Sequence, residues 1–331
     1  MKAYGRHPRR GHPVRRPAGG STEAEVDQPW LDADGRVSPQ IDFLVPGFSK
    51  CGSTTLCALL SEHPDIFMPA RKDFRLFDLP HYRERWAAFR NRFSGCEEEG
   101  VVGEGSIWYL DTEFGRTACE RILSLYPVIK ILAIARDPID RIESSFRELH
   151  HSQAKFKVRC PTDLGEALEA FPALIEDSLF HRRLSPYREA MDADRIRIVF
   201  LEELVRDRGR VLAACFRFLG LDPDLCPDPG LRRLNSGKEK LYDSDRWRSL
   251  QDDPEIRRAA EQIPFATRDE LLTQLGLRIP FSGEPLRWSE SAGRRVLARV
   301  VPDARAFLEE HGRDLSLWPR LERAIEAGRV S

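Results

Sequence analysis

Gly47-Phe48-Ser49-Lys50-Cys51-Gly52-Ser53-Thr54-Thr55 follows the apolar run Phe43-Leu44-Val45 and opens Thr55-Leu56-Cys57-Ala58-Leu59-Leu60, which has the pattern of a helix. A strand, a tight glycine-punctuated loop and a helix N-terminus together make an anion cradle, because the loop N–H groups and the helix dipole point at the same place. The position of the lysine narrows the kind of anion. A nucleoside-triphosphate loop reads G-x-x-x-x-G-K-[ST], with lysine directly after the second glycine. Gly47 and Gly52 keep that spacing, but Ser53 stands where the lysine would be and Lys50 lies two residues before Gly52. The loop reads as a phosphate site that does not hold its ligand as ATP is held.

Outward from this loop, strand-like and helix-like segments alternate. Residues 42–46 form a strand, the helix after the loop ends near His63-Pro64, and Ile66-Phe67-Met68 is a second strand. Residues 80–93 are expected to be an amphipathic helix with Tyr82, Trp86, Phe89 and Phe93 on one face. Val101–Glu104 reads as a brief strand, 115–125 as a helix, and Val128–Ala135 as a strand apolar enough to be buried on both faces. Pro138 sits near the start of a helix over 138–150, and 164–191 is helical with breaks. A strand over 195–201 precedes a helix over 206–219 that Gly220 stops. This βαβ rhythm predicts an α/β fold with a central, mostly parallel sheet flanked by helices, P-loop-like and three-layered. Beyond residue 222 the pattern weakens, and helices are expected over 252–262, 267–275, 289–300 and 303–311. The expected organisation is a basic, disordered tail over 1–37 and a single domain over 38–331 with a late helical region from about 240.

A second element, Arg136-Asp137-Pro138-Ile139-Asp140-Arg141-Ile142-Glu143-Ser144, follows the buried strand at its carboxyl end, where open α/β sheets bind ligands. Arg136 offers a bidentate fork and Ser144 a hydroxyl, a pair suited to one phosphate. The plainer reading is an Arg136–Asp140 ion pair at a helix start. Taken with the Lys50 loop, the element suggests a ligand phosphorylated at two ends.

That combination resembles the sulfotransferases that use 3′-phosphoadenosine 5′-phosphosulfate (PAPS). Gly47-x-x-Lys50-x-Gly52-Ser53-Thr54-Thr55, with Leu59 and His63-Pro64, is similar to their 5′-phosphosulfate loop, and Arg136-Asp137-Pro138 through Ser144 to their 3′-phosphate motif. Further matches are Lys72-Asp73-x-x-x-Phe77, Gly103-Glu104-x-Ser106-x-x-Tyr109, Glu202-Glu203-Leu204 before Phe218-Leu219-Gly220-Leu221, and Gly312-Arg313-Asp314-Leu315-Ser316-x-Trp318. Their order resembles the glycan-type, heparan sulfate-like branch and its bacterial relatives, over about residues 41–220 and again near 300–318.

The resemblance implies that Lys50 contacts the oxygen bridging phosphate and sulfonyl and stabilises the charge growing there. It implies that the amides of Cys51, Gly52, Ser53, Thr54 and Thr55 hold the 5′-phosphate, and that Arg136 and Ser144 hold the 3′-phosphate. PAPS is then the co-substrate and no metal is required. The family's general base is a glutamate in a segment that matches Asp73 here, one methylene shorter, with Glu104 as the alternative base or a structural carboxylate. Where the family often has a lysine, this chain has Gly105. His150 and His151 are placed at a helix C-terminus, which favours a protonated histidine rather than a base. His63 reads as a helix-end residue, His81 as exposed and Trp86 as core. Trp108 and Tyr109 divide evenly between core and acceptor pocket. Arg232, Arg233 and Lys238 lie where sulfotransferases place a loop that closes over the nucleotide.

Charge and composition are consistent with this reading. Of a net charge of −1, six positive residues (Lys2, Arg6, Arg9, Arg10, Arg15, Arg16) fall in the first 19 without an acid, so the rest of the chain is acidic. An acidic body argues against nucleic acid as a partner. Seven cysteines without a C-x-x-C pair suggest reduced thiols, and neither a membrane span nor a signal peptide is evident, so a cytoplasmic setting is expected. The leading expectation is sulfonyl transfer from PAPS to a hydroxyl or amine of a carbohydrate, glycolipid or secondary metabolite. A P-loop kinase-like phosphotransferase and a non-catalytic nucleotide-binding module are the alternatives.

Overall fold

The computed structural model describes residues 28–96, 100–111, 113–226, 240–281 and 286–330. The late loop of Arg232, Arg233 and Lys238 lies outside them, as does the basic stretch 1–27. The described residues fall into two compact units, one within residues 1–135 and 183–230 and the other within 136–182 and 231–331.

The first unit carries the sheet. Its strands are β1 (Phe43–Val45), β2 (Ile66–Phe67), β3 (Val101–Gly105), β4 (Lys130–Ala135) and β5 (Ile196–Phe200), all parallel in the order β2-β3-β1-β4-β5. Phe43, Leu44 and Val45 are buried, as are Ile131 through Ala135, which is why both runs are apolar without alternation. Helix α1 (Ser53–Leu60) starts where the loop after β1 ends, α2 covers Trp86–Asn91 and α3 covers Gly115–Leu125. Two later helices, Leu201–Arg206 and Arg208–Leu219, follow β5. Asp207 caps the second by accepting from Arg210 N at 3.1 Å, and Gly220 ends it in the left-handed region.

Of the predicted helix over 80–93, only Trp86–Asn91 is helical. Residues before Trp86 run as turns, with Trp86 N donating to Arg83 O at 3.1 Å, yet the aromatic face survives: Trp86, Phe89 and Phe93 are buried. Tyr82 leaves that face and stacks on Trp30 at 6.2 Å. Within residues 28–37, read from sequence as the end of the tail, 32–36 are exposed but Trp30 and Leu31 are half-buried. Leu31 and Val37 form an antiparallel bridge and Val37 is buried.

The second unit begins with α4, Pro138–Phe156, capped by Asp137, whose side chain accepts from Ile139 N at 2.9 Å, with Pro138 at the first helical position. A long helix over Glu290–Glu310 contains Pro302. The sequence suggested two helices there. The helix continues because Val296, Val300, Ala304 and Phe307 form one buried stripe, and that burial outweighs the hydrogen bond the proline forfeits. The late region is not wholly helical: β6 (Leu241–Asp243) pairs antiparallel with β7 (Arg278–Pro280). Trp318 is fully buried against Phe180 and Phe307, with ring centroids 5.8 and 6.2 Å away.

Candidate active site

Strand β1 is central, and its carboxyl end delivers the 47–52 loop to the edge of the sheet where ligands bind. Phe48 N donates to Ile134 O and Ile134 N to Gly47 O, both at 2.9 Å, so the loop is stitched to β4 at its base. Lys50 takes φ 64°, the left-handed region that a side-chain-bearing residue rarely adopts, and such strain concentrates at functional positions. Gly52, the residue before α1, has φ 99° and offers no side-chain cap. A Cβ there would lie 3.1 Å from Leu201 Cδ1. Helix geometry leaves the first-turn amides of α1 without intrahelical acceptors. An uncapped, glycine-preceded helix start beside a lysine suits the oxygens of a phosphate group.

Lys72 reaches this helix start, a feature the sequence reading missed. Its Nζ donates to Ser53 Oγ at 3.1 Å and to Asp73 Oδ1 at 3.0 Å, and its side chain is only 17% exposed. The signal was available in the Lys72-Asp73-x-x-x-Phe77 match, but a lysine beside an aspartate resembles a surface pair. Gly105 explains the room for it. A Cβ on Gly105 would stand 2.8 Å from Cys57 Sγ and 3.5 Å from Lys72 Cβ, so no larger residue fits there with Cys57 and Lys72 in place.

Asp73 is held on three sides. Its backbone has φ 63°, its N–H donates to Gly105 O at 2.7 Å, and its Oδ1 accepts from Ile107 N at 3.2 Å as well as from Lys72. The side chain is 34% exposed, so the carboxylate is both fixed and reachable. Glu104, the penultimate residue of β3, is the opposite case. It is 1% exposed, and among the described residues neither carboxyl oxygen has a hydrogen-bond partner. Burial pushes its pKa from 4.5 to about 8, only partly opposed by Arg92 at 3.8 Å. Burial likewise pushes the neighbouring Cys57 thiol up to about 12, so it is an unreactive packing group.

The aromatic candidates separate. Tyr109 is fully buried, its OH donating to Phe74 O at 3.1 Å, so it belongs to the core. Trp108 is half-buried under the Arg75 guanidinium, 4.1 Å from the ring centre. Trp86 is core and His81 exposed, as expected. His63 is buried at the end of α1, accepting from Asp65 N and in contact with Asp222 O at 3.0 Å.

In the second unit, Arg136 leads into α4 and pairs with Asp140 at 3.4 Å, with side chains 28% and 32% exposed. Ser144 lies one turn beyond Asp140 on the same face. His150 departs from the expectation of a charged helix-end histidine. The helix runs on to Phe156, and burial, with Arg248 3.3 Å from its Nδ1, lowers its pKa to about 4. His151 accepts from Leu241 N at 3.3 Å through its Nδ1. Both histidines are absorbed by the docking of β6 on α4.

A parallel sheet with a glycine-punctuated loop at the carboxyl end of its central strand defines an α/β fold of the P-loop-like type. A model of the sulfotransferase family matches residues 72–224. The fold is similar to that of a sulfotransferase from Alicyclobacillus acidocaldarius, with a TM-score of 0.56, 22% identity, and coverage of 85% of this chain and 99% of that one. The membrane-associated sulfotransferase kil1 of Dictyostelium discoideum is 22% identical over 162 residues, which cover 43% of this chain. The match spans 34% of kil1, about a third of its length. Mouse sulfotransferase SULT7A1, solved with PAP, matches at a TM-score of 0.37 and 18% identity over 55% of this chain and 60% of that one. Among the described residues no helix is long and apolar enough to cross a membrane, and no group of three or more His, Cys, Asp or Glu is arranged to hold a metal ion.

Proposed function

We propose that this protein transfers the sulfonyl group of PAPS to a hydroxyl or amine of a carbohydrate, glycolipid or secondary metabolite. The observation that carries this reading is the head of α1: an uncapped helix start, a lysine held in the left-handed region three residues before it, and a second lysine on Ser53. Lys50 donates to the oxygen that bridges phosphorus and sulfur, and the amides of Cys51, Gly52, Ser53, Thr54 and Thr55 hold the 5′-phosphate. Arg136 and Ser144 hold the 3′-phosphate. Lys72 adds a second positive charge beside Ser53, in place of the lysine that Gly105 excludes.

Asp73 is the general base. It takes the acceptor's proton as the acceptor oxygen or nitrogen bonds to sulfur and the bond from sulfur to the bridging oxygen breaks. The leaving group departs as 3′,5′-adenosine bisphosphate, its new charge met by Lys50 and Lys72. Glu104 holds its own proton at neutral pH and serves as a structural acid. The test is transfer of labelled sulfonyl from PAPS to acceptors in a metabolite extract in the presence of a chelator. The expected result is a labelled product that Lys50→Ala abolishes. Label transfer from ATP with Mg²⁺, and none from PAPS, contradicts the reading.

A further inference from the structure

Asp140 and Ser144, four residues apart, share a face of the first two turns of α4, and Arg136, just before the helix, pairs with Asp140 at 3.4 Å. That places a carboxylate between the two groups assigned to an anion. Asp137 and Glu143 bring two further acids to the same helix head. Acids at a helix N-terminus are favourable for the helix itself, but an acid beside a phosphate opposes it.

The three acids are engaged from far along the chain. Asp137 Oδ2 accepts from the backbone N–H groups of Arg320 and Leu321, at 2.9 and 3.0 Å. The Arg320 side chain donates through Nη1 to Asp140 Oδ1 at 3.0 Å and through Nη2 to Glu143 Oε1 at 2.8 Å. Trp288 Nε1 also donates to Glu143 Oε1, at 3.1 Å, and Arg147 pairs with Glu143 Oε2 at 3.3 Å. Asp140 is thus shared between Arg136 and Arg320. When Arg136 turns its fork to a phosphate, Arg320 is the cation that still neutralises Asp140. The docking of the last helix does not depend on this side chain alone, since the two backbone donors to Asp137 are indifferent to residue type.

We propose that Arg320 is a positioning residue for the 3′-phosphate: it cancels the charge of Asp140 so that Arg136 and Ser144 can receive an anion. This rests on the assignment of the 3′-phosphate to those two residues. The measurement is calorimetric affinity for 3′,5′-adenosine bisphosphate and for 5′-AMP, whose ratio reports the 3′-phosphate alone. In Arg320→Gln the ratio should fall about tenfold, as expected for an uncompensated carboxylate beside the anion, and adding Asp140→Asn should restore it. Asp140→Asn alone should keep or raise the ratio, and Arg320→Lys should retain most of it; these two variants carry the test if Arg320→Gln does not fold. A wild type with no preference for the 3′-phosphorylated nucleotide overturns the assignment itself and this proposal with it. A wild-type preference that Arg320→Gln leaves intact, or that Asp140→Asn alone lowers, overturns this proposal and leaves the assignment standing.

Discussion

The two elements proposed to bind anions are built from different material. The loop over 47–55 is mostly backbone: a left-handed Lys50, a left-handed Gly52 and the first-turn amides of α1, with Lys72 reaching Ser53 from elsewhere. The head of α4 is mostly side chain. Arg136 and Ser144 stand among three acids, and those acids are satisfied by Arg320, Leu321 and Trp288, some 145 to 184 residues further along. A backbone cradle accepts any anion of the right size, whereas a balanced set of side chains can select a particular phosphate. In the proposed reaction the first element handles the bond that breaks and the second recognises the donor.

Substitutions can break this contrast. The largest effect is expected at Lys50. Lys50→Ala should lower kcat about 10²–10³-fold, the usual cost of removing a group aimed at developing charge, while product-nucleotide affinity changes far less. Asp73→Asn should lower kcat by about 10²-fold with nucleotide affinity retained, and Glu104→Gln should not. If the two carboxyl variants exchange these outcomes, the base is Glu104. Arg136→Ala should weaken binding of 3′,5′-adenosine bisphosphate by about 10–100-fold, the worth of a charge-assisted pair, and barely alter 5′-AMP. Equal weakening of both nucleotides would erase the distinction between the two elements.

Two smaller effects concern stability beneath the loop. Gly105→Ala should cost about 1–3 kcal/mol by overpacking against Cys57 Sγ, read from urea unfolding, and Cys57→Ala in the same chain should recover much of it. Glu104 should make stability fall with pH. Its pKa is about 8 in the folded chain against an ordinary 4.5, so between those values the folded chain holds a proton that the unfolded chain has released. The wild-type melting temperature should therefore decline across that window, and Glu104→Gln should flatten the decline by a few degrees. An unchanged slope would mean that Glu104 is ionised where it is buried.

The same contrast decides what the sequence could reveal. The sheet was legible because Phe43–Val45 and Ile131–Ala135 are apolar without alternation, as strands covered on both faces must be. The strand, loop and helix start over 43–60 were legible because they are local backbone that glycines and an apolar run announce. Lys72 was hidden in an ordinary charge pair, since nothing local says that its ammonium reaches Ser53. The role of Arg320 was hidden for a stronger reason: its partners are remote, and a clamp of that kind leaves no spacing to read. His150 misled because the helix outlasts the segment its sequence suggested, so burial rather than a helix terminus sets its charge. Asp140 was read only as a partner of Arg136, and its second partner came from the tertiary structure.

In the proposed reaction one ligand carries both phosphates and is held without metal. Calorimetric titration of the wild-type chain with 3′,5′-adenosine bisphosphate in excess chelator tests it most directly, beside 5′-AMP and ATP under the same conditions. The expected result is saturable binding of the bisphosphate at least about tenfold tighter than 5′-AMP and weaker binding of ATP. Binding of ATP alone, restored by Mg²⁺, or equal affinity for the bisphosphate and 5′-AMP, would contradict it.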